Sequence, residues 1–82
     1  MRKRNIINKI YKILPVYEEQ DIETYHKYLS RVIIELAGEE QVPVIVDTIV
    51  ALRGLANENI LVTHSDVRSI VMFYINRIDH EL

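Results

Sequence analysis

The side chains best suited to chemistry are three histidines, two adjacent glutamate pairs and two serines, and their spacing organises none of them into a site. His26, His64 and His80 form no i, i+4 pair and stand in no H-E-x-x-H pattern. His64 and Asp66 are two apart at a helix start, where Asp66 has a capping role to fill. Ser65 and Ser69 have no nucleophile elbow or oxyanion loop around them. Gly38 and Gly54 stand alone, so no glycine-rich loop is present to cradle a phosphate. Glu18–Glu19 and Glu39–Glu40 are neighbours in sequence, and neighbouring side chains diverge instead of sharing a substrate. The expectation is a protein without catalytic residues, metal or cofactor.

Charge is the other chemical signal. The net charge is −2, but Arg2, Lys3, Arg4, Lys9 and Lys12 occupy the first twelve residues with no acid among them. The remaining bases, Lys27, Arg31, Arg53, Arg68 and Arg77, share the rest of the chain with all 12 acids. A basic N-terminal arm therefore precedes an acidic body. Three roles suit it: a solvated helix end, a dock on an acidic surface of the same protein or a partner, or a contact with nucleic acid or anionic lipid. Tyr28 with Lys27 and Arg31 adds a second patch suited to anions. The candidate contacts for an anionic partner are thus Arg2, Lys3, Arg4, Lys9, Lys12, Lys27 and Arg31.

These residues must be carried by helices. Residues 5–14 place Ile6, Ile10 and Ile13 in one row and Ile7, Tyr11 and Leu14 in a second, and Pro15 is expected to stop this helix at Leu14. Residues 18–37 repeat Ile22, Tyr25, Leu29, Val32, Ile33 and Leu36 at spacings of three and four. Glu18, Glu19, Asp21 and Glu23 crowd its first turns, and Gly38 is placed for a left-handed C-cap. Residues 43–56 begin with Pro43, which suits a first helical position. Residues 64–80 follow an N-cap at Thr63 with Asp66 as its reciprocal partner, and Val62 and Val67 form a hydrophobic staple. Short connections make sequential helices antiparallel. The predicted fold is all-α: a compact up-and-down bundle of four helices forming one domain, 1–82.

The third helix is the unusual one. Val44, Thr48, Ala51 and Leu55 fall on one side, Ile45, Ile49, Leu52 and Ala56 on a second, and Val46 and Val50 point a third way. A helix apolar all round is buried in a core or an interface. Its β-branched content leaves a strand open as an alternative, which its length disfavours. The fourth helix has a wide apolar arc too, with Met72 and Phe73 flanking Tyr74 and its neighbours. A chain of 82 residues buries only about 60% of its unfolded surface. Val46, Val50, Met72, Phe73 and Tyr74 are therefore the expected surface of a homodimer.

No cysteine is present, which excludes disulfides and cysteine-based zinc sites and fits a reducing, cytoplasmic compartment. No apolar run reaches the ~18 residues a membrane span needs, and Asn8, Lys9 and Lys12 interrupt any signal-peptide core. The leading expectation is a non-enzymatic helical interaction or regulatory module that self-associates, with an unidentified protein partner also open. Two other classes stay open: a nucleic-acid-associated regulator using the basic arm, and a membrane-peripheral immunity-type protein. A helix-turn-helix reading of residues 62–77 is weak, because no glycine marks a turn centre and the outward residues Arg68, Ser69, Asn76, Arg77 and Asp79 are mixed in charge.

Overall fold

Pro15 bends the N-terminal helix without ending it. The computed structural model describes residues 2–19, 21–57 and 63–82, and its first rod runs as α1 (Arg2–Tyr11) and α2 (Ile13–Glu18) with a break at Lys12. Proline has no N–H for the carbonyl four residues back, and its ring crowds that carbonyl. Here the affected carbonyl belongs to Tyr11, the last residue of α1. The break restarts the helix at Ile13, so Pro15 falls in the first turn of α2, where no intrahelical N–H is needed. The expected stop at Leu14 is therefore a break at Lys12, two residues earlier, and Leu14 lies inside α2 as part of the core.

The other helices are α3 (Ile22–Ala37), α4 (Pro43–Leu55) and α5 (His64–Glu81). Helix α3 starts later than the acid-rich run implies, because Asp21 is its N-cap. The Asp21 carboxylate accepts from the Thr24 amide at 3.1 Å and from the Thr24 hydroxyl at 2.7 Å. Glu18 and Glu19 belong to the end of α2. Gly38 is right-handed (φ −82°), in contrast to the left-handed cap expected. The Gln41 amide closes this helix end instead, donating to the carbonyls of Leu36 at 3.1 Å and Glu39 at 2.8 Å. Thr63 and Asp66 form the expected capping box of α5. The expected staple needs Val62, which lies outside the described residues.

The helices close a ring. Helix α3 packs on α4, α4 on α5, and α5 on both α1 and α2, while α2 also packs on α3. The pairs Glu18–His64 and Lys3–Asp79 join the first rod to α5 at opposite ends, which fixes them as antiparallel. Taking α1 and α2 as one rod, the fold is the up-and-down arrangement of four that short connections impose. The radius of gyration, 11.9 Å, matches the about 11.7 Å of a compact chain this long.

The core contains most of the predicted rows, but Ile22, expected on the inward face of α3, is 60% exposed at its first turn. Ile10 and Ile13 of the first rod, Leu29 of α3, Ile45 and Leu52 of α4, and Val67, Val71 and Ile78 of α5 are fully buried. Thr48 is the buried polar side chain among them, and its hydroxyl donates to the Val44 carbonyl one turn back at 2.7 Å. Tyr25 is 2% exposed, and its hydroxyl has no hydrogen-bond partner among the described residues. Burial there, with a smaller contribution from Tyr17, pushes the Tyr25 phenol up to about 12. Tyr11, placed from sequence in the second apolar row of the first helix, is half exposed beside the break.

Candidate interaction surface

Helix α4 buries two of its three apolar rows. Val44, Ile45, Thr48, Ile49, Leu52 and Leu55 face inward, while Val46 is 41% exposed and Val50 63%. On α5 the inward row is Val67, Val71, Ile75 and Ile78, and Phe73 is 56% exposed. A helix inside a small bundle has neighbours on two sides at most, so a third apolar row faces solvent.

The exposed groups of the two helices share a face. Arg77 Nη1 of α5 lies 2.9 Å from Asp47 Oδ2 of α4. Asp47 precedes Val50 by three residues, and Arg77 follows Tyr74 and Phe73 by three and four, so each set lies along one helix stripe. Because α4 and α5 are antiparallel, Val50 and the Phe73–Tyr74 pair lie on the same side of that bridge, about one turn away. Phe73 and Tyr74 meet edge to face at 5.0 Å. Met72, also expected on this surface, turns the other way and packs against the core. Val50, Phe73 and Tyr74 therefore share a face that leaves Met72 out, and Val46 lies one turn before Val50 on α4.

Arg77 is the polar centre of this face. Its guanidinium binds the Glu81 carboxylate through two bonds of 2.7 and 3.0 Å, reaches Asp47, and sits 5.8 Å from the Tyr74 ring centre. The hydrogen bonds that Arg77 donates to these two carboxylates, Glu81 first, raise its pKa, and Arg77 in turn holds the Glu81 carboxyl below its usual range. Sequence reasoning counted Arg77 as an outward base. Its Glu81 partner was legible at i, i+4; its Asp47 partner, thirty residues away, was not.

The basic residues are placed differently. Arg2 donates to both oxygens of Glu39 at 2.8 and 2.7 Å. Lys9 pairs with Glu35 at 2.7 Å, Lys3 with Asp79 at 3.6 Å, and Lys27 with Glu23 at 3.1 Å. The Arg2 hydrogen bond holds the Glu39 carboxyl below its ordinary value. Arg4, Lys12 and Arg31 make no ion pair among the described residues. Tyr28, grouped with Lys27 and Arg31 in sequence, donates its hydroxyl to the Lys9 carbonyl at 2.8 Å, one of the terminal carbonyls of α1. The arm is thus docked on acids of its own chain.

A second cluster had no signal in the sequence. At the end of the bundle where α2 finishes, Tyr17 stacks on His64 with ring centres 5.8 Å apart and meets Tyr25 edge to face at 4.9 Å. His64 Nε2 is 3.0 Å from Glu18 Oε1, an ion pair when the imidazole is protonated. This contact ties the first rod to the start of α5. His80 Nδ1 lies 2.8 Å from the Asn76 carbonyl on its own helix. Among the described residues no group of three or more His, Cys, Asp or Glu is arranged to hold a metal ion, and no helix is long and apolar enough to cross a membrane.

Compared with protein-family models, curated proteins and solved structures, the chain matches none. Its functional reading rests on its own residues.

Proposed function

We propose that this chain is a non-enzymatic helical interaction module that forms a homodimer through the outward face of α4 and α5. The observation that carries this reading is the exposure of Val46, Val50 and Phe73 around an Arg77 already matched by Asp47 and Glu81. Aromatic and arginine side chains dominate binding energy where proteins meet. An arginine with its carboxylates in place enters an interface without leaving a charge unpaired. The cysteine-free composition fits a reducing, cytoplasmic setting for such a module. The nucleic-acid alternative has less support, because Arg2, Lys3, Lys9 and Lys27 are engaged by carboxylates of their own chain.

The test is absolute mass by light scattering on a size-exclusion column, for wild type and Phe73→Glu. The expected result is a wild-type dimer and a folded Phe73→Glu monomer. A wild-type monomer at high micromolar concentration overturns the proposal. A Phe73→Glu protein that keeps the wild-type mass and helical spectrum moves the interface off this face.

A further inference from the structure

Helix α1 carries the charge pattern its own dipole disfavours. Arg2, Lys3 and Arg4 fill its start, with no acid in the first turn, where unpaired backbone N–H groups already present positive charge. Ten residues so biased do not hold a helix alone. The missing negative charge is supplied by other elements: Glu35 of α3, Glu39 just beyond it, and Asp79 of α5. Most of these paired groups face solvent, the Arg2 side chain at 77% exposure, so salt screens them. Beneath them α1 buries Ile6 and Ile10. Among the described residues it joins the bundle through the break at Lys12, where Pro15 withholds an N–H from Tyr11. The result is a short basic rod, broken from α2 at one end and held by two exposed carboxylates, Glu35 and Asp79, and a partly covered one, Glu39.

We propose that α1 is a strap that exchanges these carboxylates for an anionic bilayer surface. Lipid phosphates replace Glu35, Glu39 and Asp79 as counter-charges, and the boundary between headgroups and acyl chains receives Ile6 and Ile10 in place of the core. Arg4 and Lys12, which have no intramolecular partner among the described residues, add to the attraction. Charge alone does not choose between lipid and nucleic acid. The isoleucines do, because a phosphodiester backbone accepts the cations and leaves the apolar row uncovered. Tyr11, half exposed beside the break, has the amphipathic ring that favours a membrane boundary. Helix α1 makes no contact with α4, and it meets the self-association face only through α5, on which it packs.

The test is co-sedimentation of the full chain with vesicles of phosphatidylcholine, alone or with roughly one-third phosphatidylglycerol. Binding to the anionic vesicles only is expected, falling about tenfold between low and high salt. Arg2→Gln/Lys3→Gln/Arg4→Gln should abolish it. Glu35→Gln/Glu39→Gln/Asp79→Asn, which loosens the grip on α1, should strengthen it. Without lipid, rising salt should speed amide exchange at residues 6–10 before residues 45–52. Should the acid-free variant fail to fold, the wild-type lipid and exchange measurements decide. The proposal is overturned by wild type remaining in the supernatant at low salt, by equal pelleting with neutral vesicles, or by α1 exchanging no earlier than α4. Tight binding to a short DNA duplex without binding to anionic vesicles overturns it in favour of nucleic acid.

Discussion

The α1 side and the α4–α5 side of the bundle treat their surfaces in opposite ways. On the α1 side, cations exposed in sequence find carboxylates from α3 and α5. On the α4–α5 side, Val46, Val50 and Phe73 remain open even though the helices beneath them are well packed. Charge is long-ranged and carried on flexible stems, so a small fold satisfies it internally. An apolar row is satisfied only by a neighbour on that side, and a ring of four rods has no fifth to give. An excess of charge in a sequence therefore says less about partners than an excess of apolar helix faces does.

Truncating the core beneath each side tests this contrast most strongly. Leu52→Ala on α4 should lower the unfolding free energy by about 2–5 kcal/mol, the usual cost of a buried leucine. Ile10→Ala on α1 removes an equally buried side chain, yet it should cost less, because its effect is limited by the local opening of α1. Denaturant titration of both variants decides, and equal losses would show α1 to be as integral as α4. Tyr25→Phe should come next. Removing a buried hydroxyl that has no partner relieves a desolvation cost, so stability should rise by about 1 kcal/mol. A loss would reveal an acceptor for that hydroxyl. In wild type, the Tyr25 phenol should resist ionisation until about pH 12 in an ultraviolet titration. Its raised pKa stabilises the fold below pH 10, and that contribution should disappear as pH climbs from there toward 12.

Gly54→Ala should have a smaller effect. A Cβ there meets nothing within 4 Å, and alanine is the better helix former, so a gain of about 0.5–1 kcal/mol is expected in thermal or chemical unfolding. The smallest effect concerns acid. Glu39, Asp21 and Glu81 have carboxyl pKa values lowered by hydrogen bonds from Arg2, Thr24 and Arg77 respectively. Their contribution is complete above the ordinary carboxylate range and is lost as pH falls through the lowered values. Unfolding measured across that range should show α1 losing protection before α4, and the mass in solution should be unchanged by added salt at neutral pH. A dimer that salt dissociates would place charge at the heart of the interface.

Much of the fold was legible before any coordinates. The apolar spacing gives the helices, Thr63 and Asp66 give the start of α5, and Pro43 gives the start of α4. The exposure of Val46, Val50 and Phe73 was legible in the same way, from apolar positions exceeding what one stripe can hide. Met72 was not separable from them, because a wide arc does not say which flank meets the core. The Tyr17–His64–Glu18 cluster left no trace, since its members are some forty-six residues apart and none belongs to a motif.

Sequence by itself determined the elements that depend on near neighbours: helical periodicity, the capping box, and the rows that face inward. Tertiary structure decided everything that needed a distant partner. It set whether Pro15 ends a helix or bends it, since Leu14 must stay in the core. It closed α3 with the Gln41 amide in place of a left-handed glycine. It matched the basic arm to Glu35, Glu39 and Asp79, and it packed Met72 against the core while leaving Phe73 exposed. Local propensities act over one or two turns of chain, whereas charge pairing and burial are settled by which helices end up side by side.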